Sequence, residues 1–492
     1  MPPSASSQNT NKWLALALLA SAQFVVVLDA SIVNVALPSI GKALDFKQDD
    51  LSWVVNSYTL VFGGFLLLGG RLADLLGRRR LFIAGLLLFA AASLAGGLAQ
   101  SEIWLIAARS VQGLGAALVS PAALSIVTTT FREGRERNTA LGVWGAVAGS
   151  GGAAGVLLGG MLTEWAGWEW VLFVNVPIGL AAAALAPRLL GESRDTDRVR
   201  HFDAAGAVTV TAGLAIGVYA LVDANNAGWT STQTLGLGAL SLVLLAVFAF
   251  IENRSIYPLV PFSIFRLKSL RGSNVVGLLI GMSLFSMFFF ISLYLQQVLH
   301  YSALKTGFAY LPLALFIIFS AGAASQLVTK VGFKPTLIVG MLFVAAGLLW
   351  FSQVSPGGSY LGDVLFPSLL AAIGLGLSFV PVTIGAVMGT KPDEAGLASG
   401  LINTSQQVGG ALGLAILSSI ATSRTNSALA DGGHDATSAL TEGFRTAFAV
   451  GAGFALLGAL LAAVLISSRD SRAQVEEARR GDGDGDPVPL AA

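Results

Sequence analysis

The chain has 492 residues, of which 54% are hydrophobic and 12% charged, with 58 glycines, no cysteine and a mean hydropathy of +0.73. A water-soluble chain carries roughly a quarter charged residues, so about half that share points to the lipid bilayer as solvent and excludes a soluble enzyme. The 29 Lys and Arg nearly cancel the 28 Asp and Glu, for a net +1; this excludes the basic surface that nucleic acids require, and the missing cysteines exclude disulfides and thiolate chemistry.

Residues 1–12 are polar and read as a cytoplasmic N-terminus. The apolar run 13–37 exceeds the roughly 7–15 residues of a signal-peptide core and predicts a first, uncleaved span. Windows of about 20 residues, enough for a helix to cross roughly 30 Å of hydrocarbon, predict thirteen more. They cover 52–70, 81–99, 103–130, 140–164, 171–190, 205–222, 233–251, 272–297, 306–328, 336–353, 364–389, 399–422 and 444–467. An even count of fourteen returns both termini to the same side. Cation placement agrees, because with the N-terminus inside 23 of the 29 Lys and Arg fall in cytoplasmic segments, where they accumulate in membrane proteins.

The predicted organisation is therefore an all-α integral membrane protein with two six-helix halves and two extra central helices. Residues 13–190 form the N-terminal half, 191–271 a linker holding the two additional spans, and 272–467 the C-terminal half. The charged stretch 468–492 reads as a disordered cytoplasmic tail. An internal repeat supports the two halves: 71–85 (RLADLLGRRRLFIAG) aligns with 326–340 (QLVTKVGFKPTLIVG), pairing Gly77 with Gly332 and Arg79 with Lys334. Repeat-built bundles are the architecture of secondary transporters.

Among the acids, only Asp29 sits deep in an apolar run (VVVLDASIV), and Arg109 is the only deep cation. A carboxylate at that depth costs ~3 kcal/mol or more if ionised and unpaired. At ~1.5 Å per residue, Asp29 lies ~12 Å from the outer end of its span and Arg109 ~9 Å from its own, so the two share a depth. Two readings follow, proton-linked transport chemistry or a static helix lock. Gln112 and Gly113 continue a small, polar seam from Arg109. In the fifth span Gly151, Gly155 and Gly159, followed by Gly160, form a stripe that lets another helix approach closely. His201, His300 and His434 show no metal-ligand spacing, and no P-loop, HExxH or GxSxG is present. These absences point away from an enzyme and from any metal or cofactor.

With these residues in view, the chain resembles the major facilitator superfamily, specifically its fourteen-span drug:proton antiporter branch. The loop GRLADLLGRRR is similar to the superfamily signature through Gly70, Leu72, Asp74, Gly77, Arg78 and Arg79. Leu28 to Pro38 (LDASIVNVALP) is similar to the first-span signature of the branch, which brings Asn34 beside Asp29. Arg109, Gln112 and Gly113 resemble the fourth-span motif tied to proton coupling. WVLFVNVPIG from Trp170, LYLQQVLHYSALKTGFAYLPL from Leu293 and AGLASGLINTSQQVGGALG from Ala395 also resemble the branch. In two places the chain departs from it: Val156 replaces the fifth-span Pro, removing an expected kink, and Glu169 replaces a basic residue between two Trp.

The resemblance implies that Asp29, Arg109, Gln112 and Asn34 serve proton coupling and substrate, and that Gly70, Asp74, Gly77, Arg78 and Arg79 latch the halves in one state. The expected function is expulsion of small amphipathic compounds from a bacterial plasma membrane, driven by the proton motive force without a cofactor. Protons and substrate would compete for Asp29. The expected substrates are lipophilic and either monovalent cations or neutral, and the expected state is a monomer surrounded by membrane lipids. The ninth-span run Met282 to Phe290 could contact such substrates or face lipid. Two other functions stay open: a proton symporter importing a metabolite, and a non-transporting sensor or scaffold.

Overall fold

Helix starts are set locally by side chains that accept the first free backbone N–H groups. Ser101 accepts from Trp104 N, Asp203 from Gly206 N, Ser231 from Thr234 N, Ser302 from Lys305 N and Asp435 from Ser438 N. The computed structural model describes residues 5–46, 53–132, 134–192, 203–255, 258, 260–391, 394–430 and 435–483, and every regular element among them is helical. Lys47, Arg194, Arg198, Arg200, His201, His434 and 484–492 lie outside the described residues.

The N-terminal group comprises α1 (Ala5–Ala43), α2 (Trp53–Leu76), α3 (Arg78–Gly97), α4 (Glu102–Thr130), α5 (Arg135–Trp165), the short α6 (Trp170–Phe173) and α7 (Asn175–Leu189). A hairpin follows, α8 (Ala204–Ala227) and α9 (Thr232–Arg254). The second group is α10 (Lys268–Leu293), α11 (Ala303–Val331), α12 (Phe333–Phe351), α13 (Phe366–Val387), α14 (Ala395–Ala430) and α15 (Ala436–Leu465), and α16 (Ser468–Gly483) closes the described chain. Each group packs chiefly on itself. The groups meet along two seams, α2 and α4 against α14, and α5 against α11 and α13; α8 lies along both α2 and α14.

Each predicted span overlaps a helix, yet among the described residues eleven helices are long and apolar enough to cross a membrane, or twelve with bent α5 counted once. The apolar part of α8, Ala205–Leu221, is shorter than these, at the low end of what a crossing needs. The polar run Asn403-Thr404-Ser405-Gln406-Gln407 breaks the apolar sequence of α14, which continues as one helix. Membrane spans are thus numerous, but the full count of fourteen is not reached on these criteria.

Two expectations need correction. The missing Pro does not leave α5 straight: it bends by 42° between Arg135–Gly152 and Ala154–Trp165, within its glycine-rich stretch and without a proline at 156. The stretch from Ser468 is helical through Gly483 rather than disordered. Composition misled there because α16 is held by hydrogen bonds more than by apolar burial. Ser471 and Gln474 point inward while Arg469, Arg472 and Glu476 stay exposed.

The repeat seen in the sequence recurs as matching turns. Gly77 (φ +106°) joins α2 to α3 and Gly332 (φ +94°) joins α11 to α12, both in backbone conformations that side-chain-bearing residues rarely adopt. The paired cations act alike. Arg79 Nη1 donates to Leu190 O at 3.1 Å and Lys334 Nζ to Ile466 O at 2.9 Å, each just past the last span of its own half.

Candidate functional site

Asp29 on α1 and Arg109 on α4 meet: Arg109 Nη1 lies 2.5 Å from Asp29 Oδ2, and both side chains are 0% exposed. Gln112, one turn beyond Arg109, donates to Asp29 Oδ1 at 2.9 Å and accepts from Arg109 Nη1 at 2.8 Å. Three residues that sequence reasoning did not assign complete the cluster. Asn175 at the start of α7 donates to Asp29 Oδ1 at 2.7 Å. Ser93 on α3 accepts from Gln112 and Asn175, each at 3.1 Å, and donates to Leu172 O at 2.8 Å. Tyr58 on α2 lies under the guanidinium, 4.4 Å from ring centre to Cζ, with its hydroxyl on Val26 O. Arg109 Nε donates to Val54 O at 3.1 Å, while Nη2 has no hydrogen-bond partner among the described residues.

This is a buried ion pair whose remaining lone pairs are met by amides, the condition under which such a pair is tolerated. Every partner named comes from the N-terminal half, and none of the three polar side chains at its centre is exposed. Direct pairing of a substrate with Asp29, expected above, is therefore blocked in this structure. Asn34 does not join either. Five residues along a helix turn it roughly 140° from Asp29, so its side chain is exposed and bonds Ala30 O of its own helix.

The glycine stripe faces α1, within the same half. A Cβ on Gly155 would meet Leu28 O at 2.8 Å, and one on Gly159 would meet Ile32 O at 2.6 Å. Gly151 sits against Val27, and Gly160 is buried. The opposite face of α5 meets the other half, at Gly142 beside Ser325 and through Asn138 Nδ2 donating to Thr329 Oγ1 at 3.0 Å. The ninth-span aromatic run is divided. Met282, Met287 and Phe290 are buried in the core, Phe290 against Phe444 and Phe448; Phe285 and Phe289 are exposed, and Phe288 stacks on Tyr310.

A second site closes the seam between α2 and α14. Asp74 accepts from Gly396 N at 3.2 Å and Leu397 N at 3.1 Å, two N–H groups of the first turn of α14 that have no partner within that helix. The carboxylate thus sits on the positive end of the α14 dipole. Arg78, itself buried, holds the same carboxylate with Nη2 at 2.9 Å. Gly70 permits the contact, since a Cβ there would meet Gly396 O at 2.5 Å. Arg79 and Arg80 lie 3.6 Å from Glu192, and Arg71 donates to Pro258 O at 3.2 Å. The predicted latch residues are thus brought together, with Asp74 and Gly70 making the contact across the halves.

A bundle of membrane helices in two repeat-related groups, with an enclosed ion pair in one group and a carboxylate clasp between them, has the form of a secondary carrier. The sequence model of the Major Facilitator Superfamily matches residues 19–414. The chain belongs to this superfamily and is a multi-pass membrane protein. It is 41% identical over 470 residues to the puromycin resistance protein pur8 of Streptomyces alboniger, covering 94% of this chain and 93% of that one. It is 42% identical over 430 residues to the cephamycin export protein CmcT of Amycolatopsis lactamdurans, covering 87% and 88%. The fold is similar to that of the crystal structure of the human organic anion transporter MFSD10 (TETRAN), with a TM-score of 0.65 at 16% identity, covering 94% of this chain and all of the other.

Proposed function

We propose that this protein exports small amphipathic organic compounds, of the kind its relatives are named for, across the bacterial plasma membrane in exchange for protons. The exporter spans the membrane fourteen times as a monomer, keeps both termini cytoplasmic and runs on the proton motive force without a cofactor. Its substrates are lipophilic and neutral or singly cationic. The observation that carries the coupling is the enclosed Asp29 carboxylate, held by Arg109, Gln112 and Asn175 from two other helices.

A proton reaching Asp29 cancels its charge and weakens its bond to Arg109. The guanidinium keeps Val54 O and Gln112 as partners, so α1 is the element released. Because α1 is seated in the glycine stripe of α5, and α5 reaches the other half at Asn138 and Gly142, a shift of α1 passes to the seam where the halves must part. Substrate then competes with the proton through the position of α1, without touching the carboxylate. The Asp74 clasp supports reading this state as closed at one end, the cytoplasmic end if the basic loop lies inside the cell.

Acid-loaded inverted vesicles test the proposal, with puromycin as the added compound. Antiport dissipates the pH gradient on addition, and the Asp29→Asn protein leaves it intact. A gradient untouched by puromycin and by a panel of similar amphipathic antibiotics rejects proton-coupled export, and a symporter importing such a compound would behave in that way in this orientation.

A further inference from the structure

In the alignment of the two repeats, Asp74 at the end of α2 corresponds to Thr329 at the end of α11. Their partners correspond as well. Asp74 holds the start of α14 across one seam, and Thr329 holds Asn138, near the start of α5, across the other. The second seam has no charge at the matching point: a neutral hydroxyl replaces the carboxylate, and Phe333 stands where the first has buried Arg78.

Beside this second seam lies α16. Its first turn is fixed to the C-terminal half by three bonds. Ser471 Oγ accepts from Lys334 N at 3.2 Å, Lys334 Nζ donates to Ser468 Oγ at 3.0 Å, and Ser269 Oγ donates to Asp470 Oδ2 at 2.6 Å. One turn on, Gln474 is 3% exposed, and neither of its amide atoms has a partner among the described residues. It lines a small cavity with Arg137 and Asn138 of α5 on one side and Val387 and Met388 at the end of α13 on the other. A helix anchored on one half therefore places a buried amide against the first turn of a helix from the other.

We infer that this surface, shared by the start of α5 and the end of α13, is the docking site of the chain's own C-terminal helix, and that α16 is a third clasp that favours the state closed at this end. The site exists only while the halves are together, so α16 must give up its hold on α5 each time they part. Where the first seam uses a carboxylate, the second uses Thr329 together with a detachable helix. The inference rests on the alternating opening proposed above, but its test reads conformation rather than transport.

The chain has no cysteine, so a pair of labels can be introduced without background. Thr139→Cys on α5 and Val331→Cys on α11 place two exposed sites on opposite sides of the seam. Spin-label distances in the full-length protein report how often this end opens. Gln474→Lys, which keeps the helix but sets a second cation beside Arg137 in the small cavity, and a chain ending at Ser467, which removes the helix, are each expected to raise the open fraction by roughly fivefold. The Asp74→Asn variant, which breaks the first clasp, shows that the label pair detects opening. Distance distributions unchanged by both α16 variants overturn the clasp. A shifted distribution in a protein that moves no compound keeps the clasp and rejects the export proposal.

Discussion

Asp29 and Arg109 are each expensive alone and tolerable together, and this asymmetry sets what substitution should do. Arg109→Ala leaves a buried carboxylate without its cation, a change that costs about 3–5 kcal/mol; a clear loss of thermal stability in detergent, together with lost transport, is the expected result. Asp29→Asn keeps the shape but leaves the buried Arg109 cation without its anion, so it should also melt below the parent, while the share that reaches the membrane shows no gradient-driven efflux. The pair Asp29→Asn with Arg109→Gln separates the two roles: stability should return toward the parent and efflux should not. Asn175→Ala removes one of the donors to Asp29 and should cost about 1–2 kcal/mol, seen as a lower melting temperature. If Arg109→Ala melts like the parent, the pair is not what holds α1, α3, α4 and α7 together.

At this scale the sequence was half legible. Asp29 and Arg109 stand out because ionisable groups are rare in apolar runs, and their common depth could be counted along the helices. Ser93 and Tyr58 gave no such signal, since serine and tyrosine are ordinary in membrane helices. Asn175 could have been noticed as an amide within WVLFVNVPIG, but only packing shows that the start of α7 turns it toward Asp29. Asn34 illustrates the opposite error, where nearness in sequence suggested a shared role and helical geometry separated the two.

Among the elements, α5 has two working faces. One admits α1 through Gly151, Gly155 and Gly159, and the other meets α11 and α13. A side chain at Gly159 would press on Ile32 O, a backbone atom that cannot swing aside. Gly159→Val should therefore lower yield or melting temperature more than Gly152→Ala, whose added methyl meets only Phe288 ring carbons at 3.7 Å or beyond. Comparable melting curves for the two would remove the stripe from the account. Val156→Pro gives a contrary expectation. The proline would clash with the carbonyl four residues back, at Gly152, where α5 already bends. It should cost well under the ~3 kcal/mol typical of a helix interior and leave efflux in place. The glycine stripe was plain in the sequence; the bend was not, because the expected mark of a kink is proline.

Across the whole molecule, the two seams are closed at the same end by different means, Asp74 on α14 and Thr329 with α16 on α5. Asp74→Asn keeps the shape but loses the charge on the helix dipole and the bond to Arg78, so the equilibrium should move toward the open state. A longer distance between labels at Thr139→Cys and Val331→Cys is the expected sign, and an unchanged distance would show that the clasp does not set the balance. The two-half plan was legible because the repeat preserves Gly77 with Gly332 and Arg79 with Lys334. The docking of α16 was hidden, since its charged composition resembles that of an unstructured tail and its anchors are serines and an amide.

The enclosure of Asp29 also bears on how the protein is made. Its cation lies 80 residues later in the chain and Asn175 146 residues later, so a ribosome delivers the first span well before either partner exists. Until Arg109 emerges, that span carries a carboxyl group with no cation to pair with, so its final packing must wait for the fourth span. Order of synthesis thus makes the seating of α1 a late step, completed only once α4 and then α7 are in place.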